Sequence, residues 1–168
     1  MIRTAILSED GNYRYRLSRE WGTGAGRVSW LMMNPSTADA LVDDATIRKC
    51  IGFSQIWGFN ALDVINLFAL RSRDPKALLS KEDIYGPDFD KHYHDVLMNS
   101  SLLILAWGCE STLKSLGISP KEHVSAVYHD IHEWYPNLPV KCLGQSKTGN
   151  PYHPLMLAYD TPLKEVEY

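Results

Sequence analysis

The chain has 168 residues, of which 45% are hydrophobic and 22% charged, a composition that suits one globular domain with a sizeable core and excludes disordered, collagen-like and coiled-coil classes. Its net charge of -3 argues against a protein whose main task is tight, nonspecific DNA binding, and leaves nucleic acid only a local basic patch. The longest apolar run, residues 102–107, is too short to span a bilayer; residues 1–11 lack an apolar core of signal-peptide length; and Cys50, Cys109 and Cys142 are too widely spaced for a disulfide framework, so a soluble, cytoplasmic protein with no membrane partner is expected.

Residues 2–7 alternate loosely, Ser8-Glu9-Asp10-Gly11 is turn chemistry, and residues 13–21 return. This predicts an amino-terminal β-hairpin with Tyr13, Tyr15 and Leu17 on one face and Arg14, Arg16 and Ser18 on the other. Residues 22–26 form a flexible link. Residues 28–33, around Trp30, are continuously apolar, as in a strand buried on both faces. That run stops at Asn34-Pro35. Asp43 and Asp44 open a helix over 45–57, ended by Gly58, with Ile47, Cys50, Ile51 and Ser54 on one stripe. Residues 61–68 are a second buried strand, stopping near Asn66. Asp74 caps a short helix begun by Pro75. A helix over 89–98, a strand over 102–107 ended by Gly108, helices over 110–116 and 122–135, and a strand over 140–143 follow. A loop over 144–154 and a short helix over 155–160 complete the chain.

The alternation of strands and helices after the hairpin predicts one α/β domain over residues 1–168. Its architecture is a three-layer α/β/α sandwich around a mostly parallel central sheet. In such sheets ligands bind beyond the carboxyl ends of the strands. Those ends are Asn34-Pro35-Ser36-Thr37, Asn66 with Phe68, Trp107-Gly108, and Gly144-Gln145-Ser146-Lys147, joined by Asn150, Tyr152 and His153 in the last loop. Two amides, an imidazole, hydroxyls and aromatic faces suit a planar, hydrogen-bonding ligand.

Asn34 is either a turn asparagine bonding its own backbone before proline or a carboxamide that orients water or ligand. Asn66 interrupts an apolar strand, so its amide needs a backbone partner or a ligand edge. His153, stiffened by Pro151 and Pro154, could act as acid, base or anion stabiliser. Lys147, Thr148 and Gly149, after Ser146, could hold a phosphate on backbone donors. Asp39 is a candidate base. Asp44 stands i,i+4 to Arg48, the spacing of a helix-surface pair. His92 with His94, and His129 with His132, lack metal-ligand companions. No metal site, cofactor fingerprint or hydrolase motif is present.

The blocks NPSTADALVDDATIRKCIGFSQIWGFNALDVINLFALRSRDPKAL, LILAWG and CLGQSKTGNPYHPLML closely resemble a bacterial and phage family known as domain of unknown function 1643. More distantly, the pattern is similar to the uracil-DNA glycosylase superfamily. The shared features are Met33-Asn34-Pro35-Ser36 at one strand end, Asn66 at another, an apolar strand running into Trp107-Gly108, and Tyr152-His153-Pro154 in the last loop. Leu155 follows Pro154 where that superfamily usually has serine. The resemblance implies a uracil-DNA-glycosylase-like fold and hydrolysis of an N-glycosidic bond in a nucleic acid or nucleotide, with the base extruded from any stack. Asn34, next to Pro35 and Ser36, would position water. Asn66 would read the base edge, His153 would stabilise the departing base anion, and Phe68 or Tyr152 would stack. The alternative is a non-catalytic module that binds a nucleotide or modified base on the same fold. A third reading pairs Asp39 with His153 in a small-metabolite hydrolase.

Overall fold

The apolar runs that read as doubly buried strands form the middle of one seven-stranded sheet. The computed structural model describes every residue except Ala25 and Thr37. The expectations for those two, in the 22–26 link and the Asn34 strand end, lie outside the described residues. The strands are β1 (Ile2–Leu7), β2 (Arg14–Glu20), β3 (Arg27–Met32), β4 (Ala61–Asn66), β5 (Leu102–Leu105), β6 (Val140–Cys142) and β7 (Lys164–Glu165). Their order across the sheet is β1-β2-β4-β3-β5-β6-β7.

The sheet is mixed, which corrects the expectation of a mostly parallel one. The pairs β3–β4, β3–β5 and β5–β6 are parallel. The pairs β1–β2, β2–β4 and β6–β7 are antiparallel. Parallel neighbours need a crossover helix, whereas hairpins and edge returns make antiparallel ones. The amino-terminal hairpin is not an appendage: β2 pairs with β4 and extends the sheet. At the other edge β7, which the sequence pattern does not reveal, covers β6.

The helices are α1 (Ala45–Ile56), α2 (Phe89–Met98), α3 (Glu110–Ser115) and α4 (Pro120–Trp134). Asp44 caps α1, its side chain accepting from the Ile47 amide at 2.8 Å. Ser119 and Pro120 start α4, the arrangement in which proline loses no intrahelical bond. On one face of the sheet, Ile47, Cys50, Ile51 and Phe53 of α1 pack on Val28, Trp30, Leu62, Val64 and Ile104. On the other, Val96 and Leu97 of α2, Leu113 of α3, and Val124 and Ile131 of α4 pack on Leu31, Ile65, Leu103 and Leu105. Burial of that alternate set on both faces makes three layers.

The expected alternation along β2 breaks at a register shift opposite Ile6 and Leu7. Leu17 stays on the α1 face, while Tyr15 stacks on His92 of α2 with ring centroids 5.1 Å apart. An inserted residue of this kind re-aims the side chains beside it. Near the carboxyl terminus, a 3-10 turn at Pro154–Met156 replaces the expected helix over 155–160. Tyr159 then docks on α1, its ring against Phe53 at 5.1 Å and over the Lys49 ammonium at 4.0 Å. A Cβ on Gly52 would come within 2.5 Å of that ring, so this helical glycine makes room for the tail. Among the described residues no helix is long and apolar enough to cross a membrane.

Candidate functional site

The strand order reverses at β3: one parallel neighbour, β4, lies to one side and the other, β5, to the opposite side. Crevices form where the connecting helices diverge to opposite faces, beyond the carboxyl ends of the strands. A cavity of ≈ 150 Å³ sits there, about the size that admits a single six-membered ring. Asn34 reaches it from the end of β3, Asn66 from the end of β4, Trp107 from beyond β5, and His153 from the last loop. Ser36, Asp44 and Arg14 add to its polar lining, as do Thr46, Ser72 and Arg73.

Asn66 is 3% exposed, and its Oδ1 is buried without a hydrogen-bond partner among the described residues. A buried acceptor left in that state costs about 1–3 kcal/mol. Asn34 is tied down through Nδ2, which donates to the carbonyls of Leu70 at 3.3 Å and Ser72 at 3.2 Å. This is the backbone-bonding role of a turn asparagine, and it leaves Oδ1 out of those bonds.

Arg14 is the residue that the sequence pattern hides. It reads as sharing one face of β2 with Arg16 and Ser18, but the register shift separates it from Arg16 and leaves it 3% exposed. Its Nη1 donates to the Ala38 carbonyl at 2.5 Å, and its Nε has no partner. Burial pushes the guanidinium pKa down to about 10, partly offset by the Asp44 charge. Among the described residues no carboxylate lies within ion-pair distance of it. A buried cation in that position is costly until an opposite charge or acceptor meets it.

Asp44 also departs from expectation. Arg48 bonds the Asp43 carbonyl instead, and the Asp44 carboxylate lines the cavity, its Oδ2 accepting from Ser36 Oγ at 2.7 Å. Asp39 does not reach the cavity. Its Oδ1 accepts from the Leu41 and Val42 amides at 2.8 and 3.0 Å, and those bonds hold its pKa below the ordinary carboxylate range. The pairing of Asp39 with His153 therefore has no shared cavity to act in.

His153 Nδ1 accepts from the Leu155 amide at 3.2 Å. With Nδ1 an acceptor, the neutral ring carries its proton on Nε2. Burial lowers the His153 pKa, and the Asp44 charge opposes that in part. The ring is held by close packing of the last loop on the β5 exit. A Cβ on Gly108, at φ +55, would lie 2.6 Å from His153 Cβ. Asn150, 4% exposed, accepts from Trp107 Nε1 at 2.9 Å and donates to the Gly108 carbonyl at 3.0 Å. Cys109 follows at φ 45, a left-handed conformation rare for a side-chain-bearing residue. The Trp-Gly motif is thus the seat of the histidine loop.

The remaining expected residues lie elsewhere. Phe68 joins the α2 face and leans on Tyr85 at 5.6 Å. Tyr152 is 43% exposed and does not line this cavity. Ser146 and Lys147 line a separate surface groove with Gln145 and Thr148. Pro35 is buried, and its carbonyl accepts from the Ser72 amide at 2.8 Å. His94 is half-buried, its Nδ1 meeting Tyr135 Oη at 2.6 Å.

Residues 14–155 match the family model described as "Protein of unknown function (DUF1643)". No curated protein and no solved structure matches the chain.

Proposed function

Given that the chain belongs to the DUF1643 family, we propose from its site that it hydrolyses an N-glycosidic bond, holding the base of a nucleotide or nucleic acid in the cavity beyond β3, β4 and β5. The observation that carries this reading is the pair of unsatisfied buried atoms on one ring-sized cavity. Asn66 offers an acceptor and Arg14 a donor. A planar ring presenting an N–H beside a carbonyl oxygen satisfies both, as the edge of a nucleobase does.

The step then runs as follows. The C1′–N bond breaks and its electron pair leaves with the base. Arg14 and the His153 Nε2–H donate to the oxygen that takes up the charge. Water, oriented by Asn34 Oδ1, bonds to C1′, and its proton passes to the Asp44 carboxylate, which Ser36 holds. The departing base finally takes up a proton from solvent at nitrogen, and Asp44 returns the water's proton to solvent, which balances the step. The order of these motifs along the chain supports a uracil-DNA-glycosylase-like fold, consistent with the order reversal at β3.

A glycosylase assay on DNA carrying uracil, hypoxanthine and modified bases, and on free nucleosides and nucleotides, tests the reading. Release of free base by the wild-type protein, lost in Asn66→Ala and Asp44→Asn, is expected. Absence of release across both substrate sets would remove it. Thermal stabilisation by a nucleoside or base without turnover would instead establish the second reading, a binding module; Leu155 in place of serine after Pro154 favours that reading.

A further inference from the structure

A second, larger cavity lies on the opposite face of the sheet, between α2 and α4. Its volume is ≈ 440 Å³, within the range of small-molecule sites. Its walls are mostly rings. Phe68 leans on Tyr85 at 5.6 Å, Tyr85 meets Phe89 edge-on at 5.2 Å, and Phe89 stacks on Tyr93 at 5.5 Å. From α4, Trp134 meets His94 edge-on at 5.8 Å. Trp134 and Tyr85 are 68% and 46% exposed, an uncommon display of large aromatics in one place.

The charges on this cavity have one sign. Asp90 of α2 and Asp130 of α4 line it, and no lysine or arginine does. Burial lowers the His123 pKa, and the His123 Nε2 has no partner among the described residues. The negative faces of aromatic rings attract cations, and the attraction strengthens as water is excluded. An unmodified ammonium is strongly hydrated and carries three N–H donors that an aromatic wall cannot satisfy. Alkylation removes those donors and enlarges the apolar body.

We propose that the α2–α4 cavity binds an alkylated organic ammonium ion, with the rings of Tyr85, Phe89, Tyr93 and Trp134 as its cage and the carboxylates of Asp90 and Asp130 as its counter-charge. The two cavities share a wall. Asn66 faces the first, whereas the next residues, Leu67 and Phe68, line the second. Trp107 lines the first and meets His123 of the second edge-on at 5.4 Å. This site does not depend on the chemistry proposed for the other.

Calorimetric titration of the full chain with choline, and with its uncharged isostere 3,3-dimethyl-1-butanol, tests the proposal. Choline should bind saturably and quench tryptophan fluorescence, with the isostere about tenfold weaker or more. Trp134→Ala and Asp130→Asn, both at exposed positions, should fold normally and each weaken choline several-fold. Asn66→Ala should leave choline binding unchanged. Equal affinity for choline and the isostere, no saturable choline binding, or wild-type affinity in both cavity variants would each overturn it.

Discussion

Replacing Asn150 by alanine tests whether the last loop is held on the β5 exit by one side chain. Asn150 accepts from Trp107 Nε1 at 2.9 Å and donates to the Gly108 carbonyl at 3.0 Å. Trp107 is fully buried and Asn150 is 4% exposed, so alanine leaves a donor and an acceptor without partners. At about 1–3 kcal/mol for each orphaned group, the expected loss is about 3 kcal/mol. In a chain of this size that corresponds to a fall in Tm of about 6–12 °C. Urea denaturation should show a lower midpoint at unchanged slope. Asn150→Asp keeps the acceptor for Trp107 but sets a carboxylate against the Gly108 carbonyl, and burial raises the pKa of that carboxyl. Its protonated form can donate to the carbonyl, so the penalty is small below the ordinary carboxylate range and grows as pH rises through the raised folded value. A loss below about 1 kcal/mol in the alanine variant, or no pH dependence in the aspartate variant, would refute this account of the loop.

Gly108→Ala sets a Cβ 2.6 Å from His153 Cβ at a φ of +55; it should cost about 2 kcal/mol and abolish any ligand-induced thermal shift, and wild-type melting and ligand response would count against it. Asn66→Leu replaces an unsatisfied buried amide with an apolar group of similar shape, so the free protein should be unchanged or up to about 1 kcal/mol more stable while base binding is lost; a destabilised variant would mean that Asn66 serves the fold. For His153, burial places the folded pKa below the unfolded one, so the unfolded chain takes up the proton first. Stability is then present above about pH 6.5 and lost as pH falls toward the folded value. His153→Gln should flatten that slope, leaving the share of His123, whose pKa burial also lowers; an unaltered slope in denaturation measured across that range would show that His153 is not buried as described.

Much of the scaffold was legible in the chain because its signals are local. A continuous apolar run of strand length, such as that around Trp30, has one low-energy use, a strand covered on both faces. Its exit at Asn34-Pro35 and the second exit at Asn66 followed from where those runs stop. The aspartate that opens α1, and Asp74 with Pro75 at the 3-10 turn Pro75–Leu79, were readable for the same reason: each satisfies, or loses, a backbone hydrogen bond within a few residues of itself.

What the sequence determined by itself was therefore most of the strands and helices and the polar residues that end the strands, while β7 and the 3-10 turn at Pro154–Met156 escaped it. The tertiary structure alone decided which of those ends meet. The reversal of strand order at β3 is a matter of long-range pairing, and it brings Asn34, Asn66 and His153 to one cavity while leaving Asp39 in its own turn. A single register shift on β2, invisible in a pattern of period two, carried Arg14 from the face it shares in that pattern with Arg16 and Ser18 into that cavity. Phe68 lies beyond the end of β4, where strand alternation no longer holds, and packed on the α2 face. Each outcome turns on contacts between residues far apart in the chain, whose free energy exists only once the sheet has assembled.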